Sequence, residues 1–293
     1  LEKIKRNELK ESDKIPSIVE LSKYFGVSLI TVKQAINELV KEGYLETKGA
    51  KGTYVKDKKK ERTKHISLIF PAVTINPFFS DVSSGIENIL KINDFSISVY
   101  NTEYNIEKEI KYLKELEERE VKGIIFCPSS SMKDSPSVYL LERLIGKGIP
   151  VIFLDIKIEG VNLDYVTSDN FRGGYEATKY LIKLGHKKIA FIISREVNTT
   201  LERIQGYKKA LEDNGIEYNE LLVKKLYNQA SYEKIGYVST MELMNLNNPP
   251  TAIISSTDTI AIGIYKACHK LGLKIPDDIS VIGYDNLTLS EYL

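Results

Sequence analysis

The sequence predicts an α/β protein with parallel sheets and helices on both faces, preceded by a small helical domain that ends in a β-hairpin. Three observations predict it. From residue 65 onward, short apolar runs alternate with stretches of helical periodicity, the signature of repeated strand-helix units. The front of the chain instead carries two closely spaced helical patterns and then two short β-rich segments. Charge divides at the same place, with 16 Lys/Arg against 10 Asp/Glu in residues 1–64 and 25 against 30 in the remainder. A basic front on an acidic body is the asymmetry of a nucleic-acid-binding module joined to something else.

In the front segment, Ser17 can cap a helix whose apolar positions Ile18, Leu21, Tyr24 and Phe25 fall at three- and four-residue steps, and Gly26 stops it. Ser28 caps a second helix, whose stripe of Val32, Ile36, Leu39 and Val40 runs to Gly43. Two short helices joined by a tight glycine turn make a helix-turn-helix. Tyr44 to Thr47 and Thr53 to Val55 then read as strands, with the basic, glycine-rich Lys48-Gly49-Ala50-Lys51-Gly52 between them. The predicted unit is a winged helix over residues 1–57. Residues 58–64, a charged run without an apolar side chain, read as a linker.

The body, residues 65–293, has predicted strands at 66–70, 97–99, 123–126, 150–154, 188–193, 252–254 and 279–282. Helical stretches lie at 78–92, 107–120, 173–184, 203–214 and 259–271. Sheets of this kind bind ligands beyond the carboxyl ends of their strands. Those positions hold Asn76, Phe78 and Phe79 after the first strand, Asp155 after the fourth, Arg203 beyond the fifth, and Tyr284-Asp285 after the last. Aromatics, an amide, carboxylates and a guanidinium suit a small polyhydroxylated ligand: rings stack on the CH face of a sugar while Asp, Asn and Arg read its hydroxyls. Each has a structural alternative. Phe78 and Phe79 could be core, Asp155 and Asp285 could cap turns, and Arg203 could pair with an acid on its helix. His186 reads as a structural loop histidine and Asp258 as a helix cap.

The run Ile15-Pro16-Ser17, Glu20-Leu21-Ser22, Phe25-Gly26-Val27-Ser28, Thr31-Val32-Lys33, Glu42-Gly43 and Gly52-Thr53-Tyr54-Val55 resembles the GntR-type winged helix. The resemblance implies that the second helix enters the major groove of double-stranded operator DNA with Ser28, Leu29, Thr31 and Lys33. The wing would follow with Lys48, Gly49 and Lys51. The chain departs from that family at Leu29, where Arg is usual; Leu can offer a base edge only apolar contact.

Residues 65 to the end resemble the effector domain of LacI/GalR-type regulators, a two-lobed, periplasmic-binding-protein-like (type I) fold. Asn76-Pro77-Phe78-Phe79, Gly123-Ile124-Ile125, Leu154-Asp155, Ser168-Asp169-Asn170 with Gly173-Gly174, Arg203-Ile204-Gln205-Gly206-Tyr207 and the run from Pro276 to Asp285 carry the resemblance. It implies a ligand between the lobes, held by Asn76, Phe78, Phe79, Asp155, Arg203 and Asp285, with an aromatic at Tyr227 or Tyr232. Ile156 and Thr257 replace an Arg and an Asn usual in ribose-type proteins, which alters which hydroxyls are read. The family continues beyond Leu293, so the body is expected to be incomplete at its C-terminus, and the absence of an initiator Met points to a missing N-terminal piece.

A GntR-type head on a LacI-type body resembles arabinose-repressor-type regulators. The expected function is a sugar-responsive transcriptional regulator, a repressor by analogy, acting as a homodimer on a palindromic operator, with L-arabinose or a related sugar as effector. The alternatives are a sugar-processing enzyme and a solute-binding protein using the same cleft. The chain shows no Gly-x-Ser-x-Gly elbow, Walker loop or Gly-x-Gly-x-x-Gly after a strand, and no signal peptide or membrane-length apolar run. Cys127 and Cys268 sit at no ligand spacing, so neither a disulfide framework nor a zinc site is expected, and the cytoplasm is the expected compartment. No metal and no cofactor are expected.

Overall fold

The computed structural model describes residues 2–5, 8–10, 12–56, 64–72, 76–119, 121–226 and 231–292. The chain divides into two compact units, Leu1–Thr63 and Lys64–Leu293.

The first unit opens on one helical turn, α1 (Glu2–Lys5), followed by α2 (Ile18–Phe25), α3 (Leu29–Lys41), β1 (Leu45–Thr47) and β2 (Thr53–Val55). α2 starts at a full capping box: Glu20 N–H donates to the Ser17 hydroxyl while the Glu20 carboxylate accepts from Ser17 N–H at 2.8 Å. It ends at Gly26, which takes φ +66°, a left-handed conformation that glycine adopts without steric penalty. Ser28 caps α3, accepting from Thr31 N–H at 3.1 Å. The wing is broader than two strands. Ile15 N–H donates to the Thr53 carbonyl and Val55 N–H to the Asp13 carbonyl, so residues 13–15 pair along β2 opposite β1. Ile15, Val32, Ile36, Leu45 and Val55 close the small core.

The second unit holds two parallel sheets. The first lobe comprises β3 (His65–Phe70), α4 (Pro77–Ile92), β4 (Ser96–Asn101), α5 (Ile106–Glu118), β5 (Gly123–Phe126), α6 (Ser137–Gly146), β6 (Val151–Leu154) and β7 (Tyr165–Val166), with strand order β4-β3-β5-β6-β7. The second comprises α7 (Asn170–Lys183), β8 (Ile189–Ile193), α8 (Asn198–Asp213), β9 (Val223–Lys225), α9 (Tyr232–Met244), β10 (Ala252–Ser255), α10 (Asp258–Leu271) and β11 (Ser280–Ile282), ordered β11-β10-β8-β9. In both, the first strand lies inside and the second outside it, so the order reverses beside the first strand; that reversal opens a crevice at the strands' carboxyl ends. β8 is buried along its whole length, as a strand covered by helices on both faces must be.

β7, β9, α6 and α9 were not legible. β7 is two residues long and exposed, and β9 is three residues long with two lysines, so neither has an apolar run. α9 has apolar and small residues around most of its circumference, which blurs its period. Asp258 is not the cap of α10. Thr257 is, accepting from Ile260 N–H, and the Asp258 carboxylate instead accepts from Leu287 N–H at 2.7 Å. His186 is structural: its two ring nitrogens meet the hydroxyls of Thr251 and Ser280 at 2.9 and 3.0 Å.

Candidate effector cleft and nucleic-acid interface

Between the lobes of the second unit lies a cleft bordered by Asn76, Phe78, Phe79, Asp155, Arg203 and Asp285, six of the seven residues expected there. The seventh, Tyr227, lies outside the described residues; Tyr232, its alternative, borders the cleft.

Each arrives for a local reason. Asn76 caps α4, its amide oxygen accepting from Phe78 N–H at 3.1 Å, which turns Phe78 and Phe79 into the first turn of that helix. The two rings meet edge to face at 5.1 Å. Phe79 borders the cleft but is only 2% exposed, packed on Phe70 in the lobe's core, so the core alternative describes it as well as the ligand one. Asp155 and Asp285 each stand one or more residues past a strand end at positive φ, +61° and +97°. Asp tolerates the left-handed region better than bulky residues do, and that conformation turns the chain out of the sheet at the cleft.

Arg203 is 6% exposed and held on three sides. Its Nε donates to Asn170 Oδ1 at 2.8 Å, Nη1 donates to the Ser256 carbonyl, and the guanidinium lies 3.5 Å from the centre of the Tyr284 ring. It pairs with no acid on its own helix; Asn170, from the Ser168-Asp169-Asn170 run, orients it. Burial pushes the Asp285 carboxyl up to about 7 against the pull of Arg203, with Asp258 and Asp155 adding repulsion. Burial raises Asp155 too, Arg203 opposing. Two carboxyl groups around one fixed cation can accept hydrogen bonds from adjacent hydroxyls while Phe78 offers an apolar face.

The sequence reading missed Tyr104, Arg195, Thr199 and Thr200, which also border the cleft. The rule of looking just past each strand would have found two of them, since Tyr104 follows β4 by three residues and Arg195 follows β8 by two.

In the first unit, Leu29, Thr31 and Lys33 are exposed on α3, with Leu29 50% open to solvent. The Ser28 hydroxyl is occupied by its capping bond and by the Thr31 hydroxyl at 2.8 Å. At the wing tip Gly49 has φ +54° and opens a 3-10 turn, Gly49–Lys51. Lys48 lies 2.7 Å from Glu46 and over the Tyr54 ring, and Lys51 is exposed.

Residues 63–291 match the family of periplasmic binding proteins and the sugar binding domain of the LacI family. The chain belongs to the LacI family. Its first 55 residues match the bacterial regulatory proteins of the gntR family, so a GntR-type head precedes the LacI-type body. Among relatives, the HTH-type transcriptional regulator DegA of Bacillus subtilis is 33% identical over 94% of this chain and 83% of its own. The arabinose metabolism transcriptional repressor of Halalkalibacterium halodurans is 27% identical over 94% and 76%. A LacI family transcriptional regulator from Enterococcus faecium, solved with bound ribose, is 35% identical with a TM-score of 0.67, covering 78% of this chain and 80% of that one. This LacI-family chain is thus a transcriptional regulator with a sugar-binding type of effector domain. No helix among its described residues is long and apolar enough to cross a membrane, and no His/Cys/Asp/Glu group among them could hold a metal.

Proposed function

We propose that the chain is a cytoplasmic repressor that binds double-stranded operator DNA as a homodimer and is switched by a neutral monosaccharide in the inter-lobe cleft. The observation that carries this is the cleft's donor set: Asp155 and Asp285 around the fixed Arg203, beside Phe78 and Arg195. Two arginines face two carboxyl groups that burial raises, and such hydrogen-bond donors and acceptors side by side suit the adjacent hydroxyls of a neutral polyol. Among the described residues nothing in the cleft orients a nucleophile, which supports a binding role over catalysis. L-Arabinose and D-ribose are the first sugars to test, since relatives carry arabinose repression in their name or hold ribose.

Both lobes supply ligand contacts, so a sugar that makes all of them only when the lobes are closed shifts the population toward that form. Through a dimer the shift alters the spacing of two heads that must meet half-sites about one helical turn, ~34 Å, apart, and operator affinity falls. In the DNA-reading role, Leu29, Thr31 and Lys33 face the groove from α3, and Lys48, Gly49 and Lys51 meet phosphates; Ser28 serves mainly as the cap.

A thermal-shift screen against pentoses, hexoses and nucleobases tests the reading. A melting shift with one monosaccharide that is lost in Asp285→Ala is the expected result. A shift with nucleobases alone, or with none of these compounds, would overturn it.

A further inference from the structure

One end of the cleft is closed by a wall that both lobes build. Arg195 leaves the second lobe just past β8, and its guanidinium reaches the first lobe, where Nη2 donates to the Ser129 carbonyl and the cation lies 4.1 Å from the centre of the Tyr104 ring. Ser129 is itself pinned. Its N–H donates at 2.6 Å to Glu109, a wholly buried carboxyl group that also accepts from the Ser137 hydroxyl. Tyr104 sits in the left-handed region at φ +55° and meets Tyr232 of the second lobe edge-on at 6.4 Å. A bulky residue held there is an outlier that its surroundings must enforce.

Two hollows meet at this wall, and Tyr104 borders both. One is the effector cleft with Asp155, Arg203 and Asp285. The other lies on the first lobe among Ser129, Ser130, Asp134 and Ser135. The wall also carries an unused donor: Arg195 borders the effector cleft, and its Nε is buried with no partner among the described residues.

We propose that Arg195 is the specificity-determining residue of the effector site, closing the chamber around a single sugar ring and donating its Nε–H to that ring. The proposal rests on the sugar reading above and deepens it. A guanidinium fixed by a carbonyl on one side and an aromatic face on the other has already lost its rotamer freedom, so a bond from Nε orders little that is not ordered before the ligand arrives. The second ring of a disaccharide needs the space Arg195 fills. Removing that side chain would open the wall between the two hollows beside Tyr104, and the outer one is bordered by Ser129, Ser130, Ser135, Asp134 and Tyr104, polar groups and a ring face of the kind that reads a sugar. Glu109 is a positioning residue in this device, acting through Ser129.

Calorimetric titration of the full chain with L-arabinose, D-ribose and D-glucose as single rings, and with cellobiose as the double ring, tests this. The wild type is expected to bind at least one single ring and to refuse cellobiose. Arg195→Ala should bind that single ring ~10-fold or more weakly and take up cellobiose. Arg195→Lys, which keeps charge and bulk without the Nε donor, should weaken the single ring and still exclude cellobiose; melting curves of the ligand-free variants report that they fold. A wild type that binds cellobiose as well as a single ring overturns the proposal. So does an Arg195→Ala chain that binds the single ring as the wild type does and still refuses cellobiose. A folded wild type that binds none of the four sugars removes the sugar reading itself, and with it this extension.

Discussion

Asp285 borders the cleft at a cost to the fold. Its carboxyl group titrates at about 7 in the folded chain because burial disfavours the charged form more than Arg203 favours it. The folded state therefore holds a proton that the unfolded chain releases near its ordinary value of 3.8. The contribution of this group is most favourable at low pH and is lost as pH rises from that value to about 7, at roughly 1.4 kcal/mol per pH unit. Asp285→Asn should accordingly raise the ligand-free stability at pH 8 by about 2–4 kcal/mol and flatten its pH dependence below 7, measured by urea unfolding. On the proposed reading, sugar hydroxyls donate to the ionised carboxylate, so the wild type should bind its sugar more tightly as pH rises through 7. In Asp285→Asn that binding should be weak at every pH in a calorimetric titration.

Elements pack where they can approach, and in the second lobe glycines set the approach. A Cβ on Gly174 of α7 would meet the Arg203 carbonyl, and one on Gly206 of α8 would meet the Phe171 carbonyl. α9 and α10 repeat the device with Gly236 against Ile260 and Gly263 against Glu233. The first pair bears on the cleft most directly, because the backbone it touches is that of Arg203. Gly174→Ala and Gly236→Ala should each destabilise the body by about 1–3 kcal/mol through overpacking, but only Gly174→Ala should weaken the sugar, as titration of both variants would show. In the wing, Lys48→Ala and Lys51→Ala should weaken operator binding across sequences and each reduce the slope of log K against log salt by about 1. A slope unchanged in binding assays across a salt series would take that lysine out of the interface.

At the scale of the whole molecule, the two compact units have separate cores, so heating should melt them in two transitions rather than one. A sugar at about 100 times its Kd stabilises the form that binds it by ~2.7 kcal/mol, so calorimetry should show the body's transition moving upward while the head's stays in place. A head transition that moved equally would mean that the two units unfold as one.

Most of the architecture is legible in local pattern. Ser17 with Glu20, Gly26 and Ser28 place the helices of the head because caps and left-handed turns are written in a few adjacent residues. Strand runs such as Ile189–Ile193 declare a sheet covered on both faces because every side chain there must be apolar. The position of the cleft follows from strand-helix order, and with it Asn76, Asp155 and Asp285. Other features depended on partners far along the chain. Residues 13–15 join the wing only because β2 folds back beside them, and β7 and β9 have no apolar signature of their own. Arg203 is aimed by Asn170 and Tyr284, and Arg195 becomes part of a wall only when Ser129 and Tyr104 of the other lobe come within reach. The sequence by itself determined most of the segments that form helices and strands, β7, β9, α6 and α9 apart, and which strand ends could bear a site, because those are short-range matters of period and turn. The tertiary structure alone decided which side chains share that site and how they are charged and held, because burial and opposed charges arise only when two lobes close on one another.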